Sequence, residues 1–186
     1  NVKIEDFGKI NVFNEYFGRG LSSIVFQEMR ESKSLAYSAY VSYQANQKLQ
    51  HPDYVVTYIG TQPDKLIIAV DTLSELMAEL PQVKTQFENS KNAALKQIVA
   101  GRIKRTNVFF NYQNLKKLEI YHDYRKDIYA EIEQLSLENL TEFYNKKIRN
   151  LTFNTAIIGK KENLDMKAVA KLGEFREVTL EEIFGY

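Results

Sequence analysis

Residues 14–40 read NEYFGRGLSSIVFQEMRESKSLAYSAY, and this stretch decides the fold. Its two glycines, Gly18 and Gly20, form a glycine-rich break at the end of a first helix, and the Ser-Ser pair that follows can cap a second helix. From Tyr37 onward the apolar spacing changes from three and four residues to two. The stretch therefore predicts a helix, a break, a second helix and the start of a β-strand.

The rest of the chain continues this mixture of helices and strands. Two apolar runs alternate with period two on either side of a turn at residues 51–53, which predicts a β-hairpin. Its strands cover residues 37–43 and 54–59. Apolar spacings of three and four residues predict helices at 4–17, 24–34, 64–80, 83–105, 107–121, 136–148 and 163–172. Shorter runs predict late strands at 152–158 and 175–178, and residues 122–133 are predicted to form an irregular connection that could include a short helical or extended turn.

This order of elements is typical of one α+β domain in which a mostly antiparallel sheet packs against several long helices. The chain has 186 residues, which is enough to bury about 70% of its unfolded surface around a single core. We therefore interpret residues 1–186 as one domain. Because the chain begins at Asn1 without a methionine, we expect it to be a fragment of a longer, multi-domain protein.

The composition excludes several kinds of site. The chain has no cysteine, which excludes disulfides, a thiol nucleophile and thiolate zinc ligands. Its two histidines, His51 and His122, lack the spacing of a helical metal pair, so we expect no metal site and no bound cofactor in this chain. The net charge of +1 supplies no bulk field for nucleic acid, and no apolar run is long enough for a membrane span. A chain without cysteine suits the bacterial periplasm as well as the cytoplasm.

The segment from Asn14 to Tyr40 resembles the second-half domains of the pitrilysin/insulinase (M16) family of zinc peptidases. Those domains carry an Asn, a glycine-rich break, Ser-Ser, a helix ending in Glu-x-Arg, and Leu-Ala-Tyr entering a strand; each feature is present here. The resemblance extends over nearly the whole chain, including residues 132–140 and the run Ile157-Ile158-Gly159. It implies the fold of the mitochondrial processing peptidase and its relatives, with the opening strand of a typical family domain missing.

The resemblance implies the non-catalytic, substrate-side half of a zinc metalloprotease. In the family, a catalytic domain supplies His-x-x-Glu-His and the zinc, and a related domain without metal ligands faces it across a closed chamber. The facing domain contributes an Arg and a Tyr, seven residues apart, that reach the substrate; Arg30 and Tyr37 match this pair by spacing and flanking sequence. The implied partners are an extended peptide and a catalytic domain with that motif, in the same chain or in a separate subunit. Alone, this chain is expected not to hydrolyse peptides.

The seven-residue spacing by itself also allows a structural interpretation. Arg105 and Tyr112 have the same spacing without the flanking motif, and we interpret them as structural. Arg30 at a helix C-terminus would complement the helix dipole, and Tyr37 could be a half-buried aromatic of the sheet. Two other functions stay open: a catalytically inert scaffold or interaction subunit with the same fold, and an unrelated α+β module whose Tyr-rich strand binds a ligand by stacking.

Overall fold

The computed structural model describes residues 4–46, 51–101 and 103–185. Its helices are α1 (Phe7–Phe13), α2 (Ile24–Phe26), α3 (Leu66–Leu76), α4 (Lys84–Ala100), α5 (Val108–Lys117), α6 (Arg125–Gln134), α7 (Leu137–Lys147), α8 (Met166–Val169) and α9 (Leu180–Phe184). Helices α1 and α2 continue as π-helical segments, Asn14–Gly18 and Gln27–Ser32. The strands β1 (Ser38–Gln44) and β2 (Tyr54–Gly60) form an antiparallel sheet. The predicted α+β class is confirmed.

The hairpin of β1 and β2 has one face in the core and an outer face that is exposed around Tyr40 and Tyr58, although Ser42 on that face is buried. Side chains alternate along a strand, and every second residue of β1 is buried on the inner face: Ala39, Val41 and Tyr43. On the outer face, Tyr40 lies directly opposite Tyr58, and both rings are exposed. The predicted hairpin is confirmed; residues 47–50 of its connection lie outside the described residues.

Aromatic residues of α1, its π-helical continuation and α7 form much of the core. Phe13, Phe17 and Tyr144 are fully buried, and the ring centroids of Phe13 and Phe17 lie 5.4 Å apart. The Tyr144 hydroxyl donates to the carbonyl oxygen of Met77 at 2.5 Å, which joins α7 to the end of α3. Burial raises the pKa of Tyr144 to about 12, so the phenol is protonated at neutral pH and retains this hydrogen bond.

Glu131 of α6 joins that helix to the first turn of α1. Its carboxylate accepts hydrogen bonds from the Gly8 N–H at 2.8 Å and from Lys9 Nζ at 3.0 Å. A β-carbon at residue 8 would overlap this carboxylate, so glycine at residue 8 leaves room for the Glu131 side chain in this position. A negative charge at the N-terminal turn also interacts favourably with the dipole of α1.

Two of the predicted strands are wrong. Residues 152–158 and 175–178 contain no strand, and most side chains of 152–158 are exposed. A strand needs a neighbour for its backbone N–H and C=O groups. Within the described ranges, β1 and β2 pair only with each other. The apolar runs at 152–158 and 175–178 therefore predicted strands, but the described residues provide no neighbouring strand that pairs with them.

The helix predictions are confirmed in most places and corrected in four. The helix predicted for 64–80 ends at Leu76. Most of the predicted irregular connection at 122–133 is helix α6, held by Ile128 and Ile132, which lie one turn apart and are buried. The helix predicted for 83–105 ends at Ala100, because Gly101 leaves the helical conformation with ψ 99°. The helix predicted for 107–121 ends at Lys117, shortly before Glu119 adopts the left-handed conformation (φ 59°).

Candidate functional site

The structure places Arg30 and Tyr37 at the two ends of one short turn. Arg30 lies in the last turn of the π-helical segment after α2, and Tyr37 immediately precedes β1. The carbonyl oxygen of Met29 accepts hydrogen bonds from the backbone N–H groups of Leu35 (2.8 Å) and Ala36 (3.2 Å). Because Arg30 follows Met29 and Tyr37 follows Ala36, these bonds bring the backbones of Arg30 and Tyr37 together.

The turn is held against the residues at the end of β2. Ser34 reverses the chain direction in the left-handed conformation, with φ 51°. Three hydrogen bonds then link the turn to residues 60–65: Lys65 Nζ to the Ser34 carbonyl (3.1 Å), Thr61 Oγ1 to the Leu35 carbonyl (2.5 Å), and the Tyr37 N–H to the Gly60 carbonyl (2.8 Å). These hydrogen bonds therefore fix the backbone positions from which the side chains of Arg30 and Tyr37 project.

The guanidinium group of Arg30 lies at the protein surface. Its side chain is 50% exposed, and its Cζ lies 5.1 Å from the ring centroid of Phe26. Arg30 Nε lies 3.6 Å from Glu31 Oε1, a long ion pair between two exposed side chains, and such pairs contribute little to stability. Stacking on Phe26 orients the group, and its planar fork of N–H donors suits carbonyl and carboxylate oxygens.

Tyr37 is an exposed side chain with a hydrogen-bonded phenol. Its exposed fraction is 68%, which makes the alternative of a half-buried sheet aromatic wrong. The phenol oxygen accepts a hydrogen bond from Gln62 Nε2 at 2.9 Å. The phenol can therefore donate its own O–H to a bound molecule, and hydrogen bonds in such a chain strengthen one another.

The two glycines of the break have different structural roles. Gly18 lies against the backbone of β1, where a β-carbon would overlap the carbonyl oxygen of Val41 and lie 2.7 Å from its carbonyl carbon. Gly20 has φ 84°, the left-handed conformation that favours glycine, and open space surrounds its α-carbon. Gly18 thus permits a close approach, whereas Gly20 permits the turn before α2.

Asn14 covers the edge of β1 next to Gly18. Its Nδ2 donates to the carbonyl oxygen of Tyr43 at 3.1 Å, and its Oδ1 accepts from the N–H of Tyr43 at 2.8 Å. The side-chain amide takes the place that the backbone of a neighbouring strand would occupy. Together with Gly18 against Val41, it closes this edge of the sheet.

Within the described ranges, the opposite edge of the sheet, along β2, is open. The backbone N–H and C=O of Tyr43 both form hydrogen bonds with the Asn14 side chain, so they point away from β2. Tyr43 and its partner Val55 are therefore a non-hydrogen-bonded pair of the ladder. The alternation of an antiparallel ladder then directs the backbone groups of Val55, Thr57 and Ile59 away from β1. No strand among the described residues pairs with this edge, which ends beside the turn that carries Tyr37.

Two surface clefts lie elsewhere in the described part of the chain. One, of about 600 Å³, is lined by α4 and α6 and includes Tyr129; the other, of about 510 Å³, surrounds Glu131. Neither is lined by Arg30 or Tyr37. The candidate site is therefore an exposed turn beside an open strand edge, a shape that suits an extended chain.

Residues 4–46, 51–101 and 103–185 contain no cluster of three or more His, Asp or Glu side chains that could hold a metal ion. They also contain no helix that is both long and apolar enough to cross a membrane.

Sequence reasoning missed the residues that support the candidate pair. Gln62 and Thr61 lie between the predicted strand at 54–59 and the predicted helix at 64–80, and a polar residue in such a connection gives no signal of its distant partner. Asn14 belongs to the motif quoted above, but its role on the edge of β1 depends on a contact across 29 residues of chain.

Solved structures share this fold. A peptidase M16 inactive domain from Pseudomonas fluorescens aligns over 76% of this chain and 33% of its own length, with a TM-score of 0.58 and 16% identity. A protease from Helicobacter pylori aligns over 76% of this chain and 34% of its own length, with a TM-score of 0.55 and 15% identity. The chain thus spans about a third of each of these longer proteins and shares their fold. A search of the curated proteins finds no match.

The family follows from the sequence profile. The profile of the peptidase M16 inactive domain matches residues 2–97, which include the turn between Arg30 and Tyr37 and both strands of the hairpin. The chain belongs to the peptidase M16 inactive-domain family, and the predicted membership is confirmed.

Proposed function

We propose that this chain is the substrate-side domain of a zinc metalloprotease, which closes the reaction chamber and positions peptide through Arg30 and Tyr37. The observation that carries the proposal is the exposed turn that presents both side chains beside the open edge of β2. Membership of the inactive-domain family supports a non-catalytic role beside a catalytic M16 domain, in the same chain or in a separate subunit.

The phenol of Tyr37 suits the stabilisation of a developing oxyanion. When a peptide carbonyl becomes tetrahedral, negative charge collects on its oxygen, and a fixed donor aimed there lowers the barrier selectively. Gln62 occupies the acceptor side of the phenol oxygen and leaves its O–H to the substrate. In this proposal the zinc and the His-x-x-Glu-His motif belong to the partner catalytic domain, which supplies the hydrolytic water.

The guanidinium of Arg30 suits a carbonyl of the bound peptide. It is stacked on Phe26 and exposed, so a substrate oxygen could reach its donors without displacing a buried partner. The open backbone groups of Val55, Thr57 and Ile59 favour β2 as the edge along which an extended peptide adds as a further strand. The peptide would then end beside Tyr37.

Substitution of Arg30 tests this role in the assembled protease. Arg30→Ala is expected to raise KM for a peptide substrate about ten-fold or more, because hydrogen bonds to a charged group contribute about 1.5–3 kcal/mol. Arg105→Ala is the matched control, since Arg105 precedes Tyr112 by the same seven residues. Steady-state kinetics with a quenched fluorescent peptide measure both variants. Unchanged KM and kcat in Arg30→Ala would contradict the proposal and favour the alternative of an inert scaffold or interaction subunit.

A further inference from the structure

The outer face of the hairpin carries an aromatic pair that the proposed chemistry does not use. The rings of Tyr40 and Tyr58 stack across the two strands, with centroids 5.4 Å apart and planes inclined by 17°. Tyr40 is 37% exposed and Tyr58 is 48% exposed. Since Tyr40 stacks on the side of the Tyr58 ring that faces β1, the other side of that ring is directed toward the open edge of β2. We call this pair the aromatic shelf.

The aromatic shelf adjoins the turn that carries Tyr37. A β-carbon placed on Gly60 would lie 3.1 Å from the Tyr58 hydroxyl oxygen and 3.4 Å from Tyr58 Cε1, so the phenol of Tyr58 lies beside Gly60. The carbonyl oxygen of Gly60 in turn accepts the hydrogen bond from the Tyr37 N–H. Gly60 therefore connects the aromatic shelf to the candidate site.

Both strands of the hairpin lack charged residues. β1 reads SAYVSYQ and β2 reads YVVTYIG. Natural edge strands commonly carry Lys, other charged residues or Pro, which oppose pairing with another chain. The edge of β2 has none of these, and the face above it is uncharged and aromatic. A bound peptide that is extended, uncharged and carries an aromatic side chain would suit both the uncharged edge of β2 and the aromatic face beside it.

We propose that the aromatic shelf is a specificity subsite that takes an aromatic side chain from an uncharged stretch of peptide lying along the edge of β2. This inference rests on the proposed function, because it names the class of peptide that the same site prefers. Tyr58 and Tyr40 occupy a hydrogen-bonded position of the ladder, so an antiparallel peptide residue opposite Tyr58 would form a non-hydrogen-bonded pair. Side chains approach most closely in such pairs, and an aromatic ring there would extend the stack.

The test measures binding of labelled peptides to the intact protein that contains this chain. The probes are fluorescein-labelled Ser-Thr-X-Thr-Ser peptides in which X is Phe, Ala, Lys or Glu, and a chelator is present to prevent hydrolysis. Fluorescence anisotropy is expected to give a Kd for the Phe peptide about three- to ten-fold below that of the Ala peptide, with no gain for Lys or Glu. Tyr58→Ala should abolish this preference, whereas Tyr58→Phe should retain it because the ring remains.

Tyr121→Ala is the matched control, because Tyr121 is an exposed tyrosine outside the hairpin, and it should leave every affinity unchanged. Equal affinities for the Phe and Ala peptides, absence of binding, a preference for Lys, or a Phe preference that survives Tyr58→Ala would each overturn the subsite. Failure of the aromatic shelf is separate from failure of the Tyr37 role, because the shelf is measured as a binding preference and the Tyr37 role as turnover.

Discussion

Tyr37→Phe is expected to lower kcat of the assembled protease by about ten-fold or more while the protein folds normally. The substitution removes only the phenol oxygen, and with it the donor that the proposed mechanism directs at the developing oxyanion. Removal of one such donor in other enzymes raises the barrier by about 3 kcal/mol. KM should change little, because this hydrogen bond strengthens only in the transition state.

The structure indicates that Tyr37→Phe changes the hydrogen bonding of this side chain without disturbing the fold. Tyr37 is exposed, and its phenol contacts the side chain of Gln62, so Phe creates no cavity and leaves no buried group without a partner. Tyr112→Phe is the control, since Tyr112 is also exposed and follows Arg105 at the same spacing. Wild-type kcat in Tyr37→Phe would remove Tyr37 from the mechanism and favour a scaffold role.

Gly18→Ala is expected to reduce the free energy of unfolding by about 3 kcal/mol or more. Its β-carbon would overlap the carbonyl group of Val41, which is backbone within β1 and cannot rotate away as a side-chain end could. Overpacking in a buried region typically costs 1–3 kcal/mol, and a clash with a strand backbone belongs at the upper end. Relief would require the π-helical segment and β1 to separate, which also breaks the hydrogen bonds of Asn14 to Tyr43.

Urea unfolding followed by circular dichroism measures this loss of stability. Gly159→Ala is the matched control, because nothing lies within 4 Å of the position that its β-carbon would occupy. That variant should unfold at nearly the wild-type urea concentration. A Gly18→Ala protein as stable as Gly159→Ala would show that the helix and β1 do not approach as closely as the structure places them.

Local patterns predicted the parts of the fold that depend on neighbours in sequence. Period-two alternation identified β1 and β2, and the helix predicted from residue 136 is α7, where Ser136 Oγ accepts from the Asn139 N–H at 3.2 Å. The strand predicted at residues 152–158 failed because a strand depends on a partner, which no local pattern specifies. Helix α6 was missed although Ile128 and Ile132 have helical spacing, since two residues make a weak periodic signal.

The candidate site was predictable only in part. The spacing of Arg30 and Tyr37 and the Ser-Ser and Leu-Ala-Tyr segments around them identify the turn between the two residues, and its role as a site stays a prediction. The hydrogen bond from Gln62 to Tyr37 spans 25 residues, and the stack of Tyr40 on Tyr58 depends on the exact register of the hairpin. Such contacts arise from tertiary packing between residues that are distant in sequence, so local sequence patterns do not predict them.

The central claim is that this chain supports peptide hydrolysis without performing it. The most direct test compares hydrolysis of a quenched fluorescent peptide by this chain alone, by a catalytic M16 domain carrying His-x-x-Glu-His alone, and by the two together in the presence of zinc. The account predicts negligible turnover for each domain separately and at least ten-fold higher turnover for the mixture, which Tyr37→Phe then lowers. Hydrolysis by this chain alone, or full activity of the catalytic domain without it, would contradict the account.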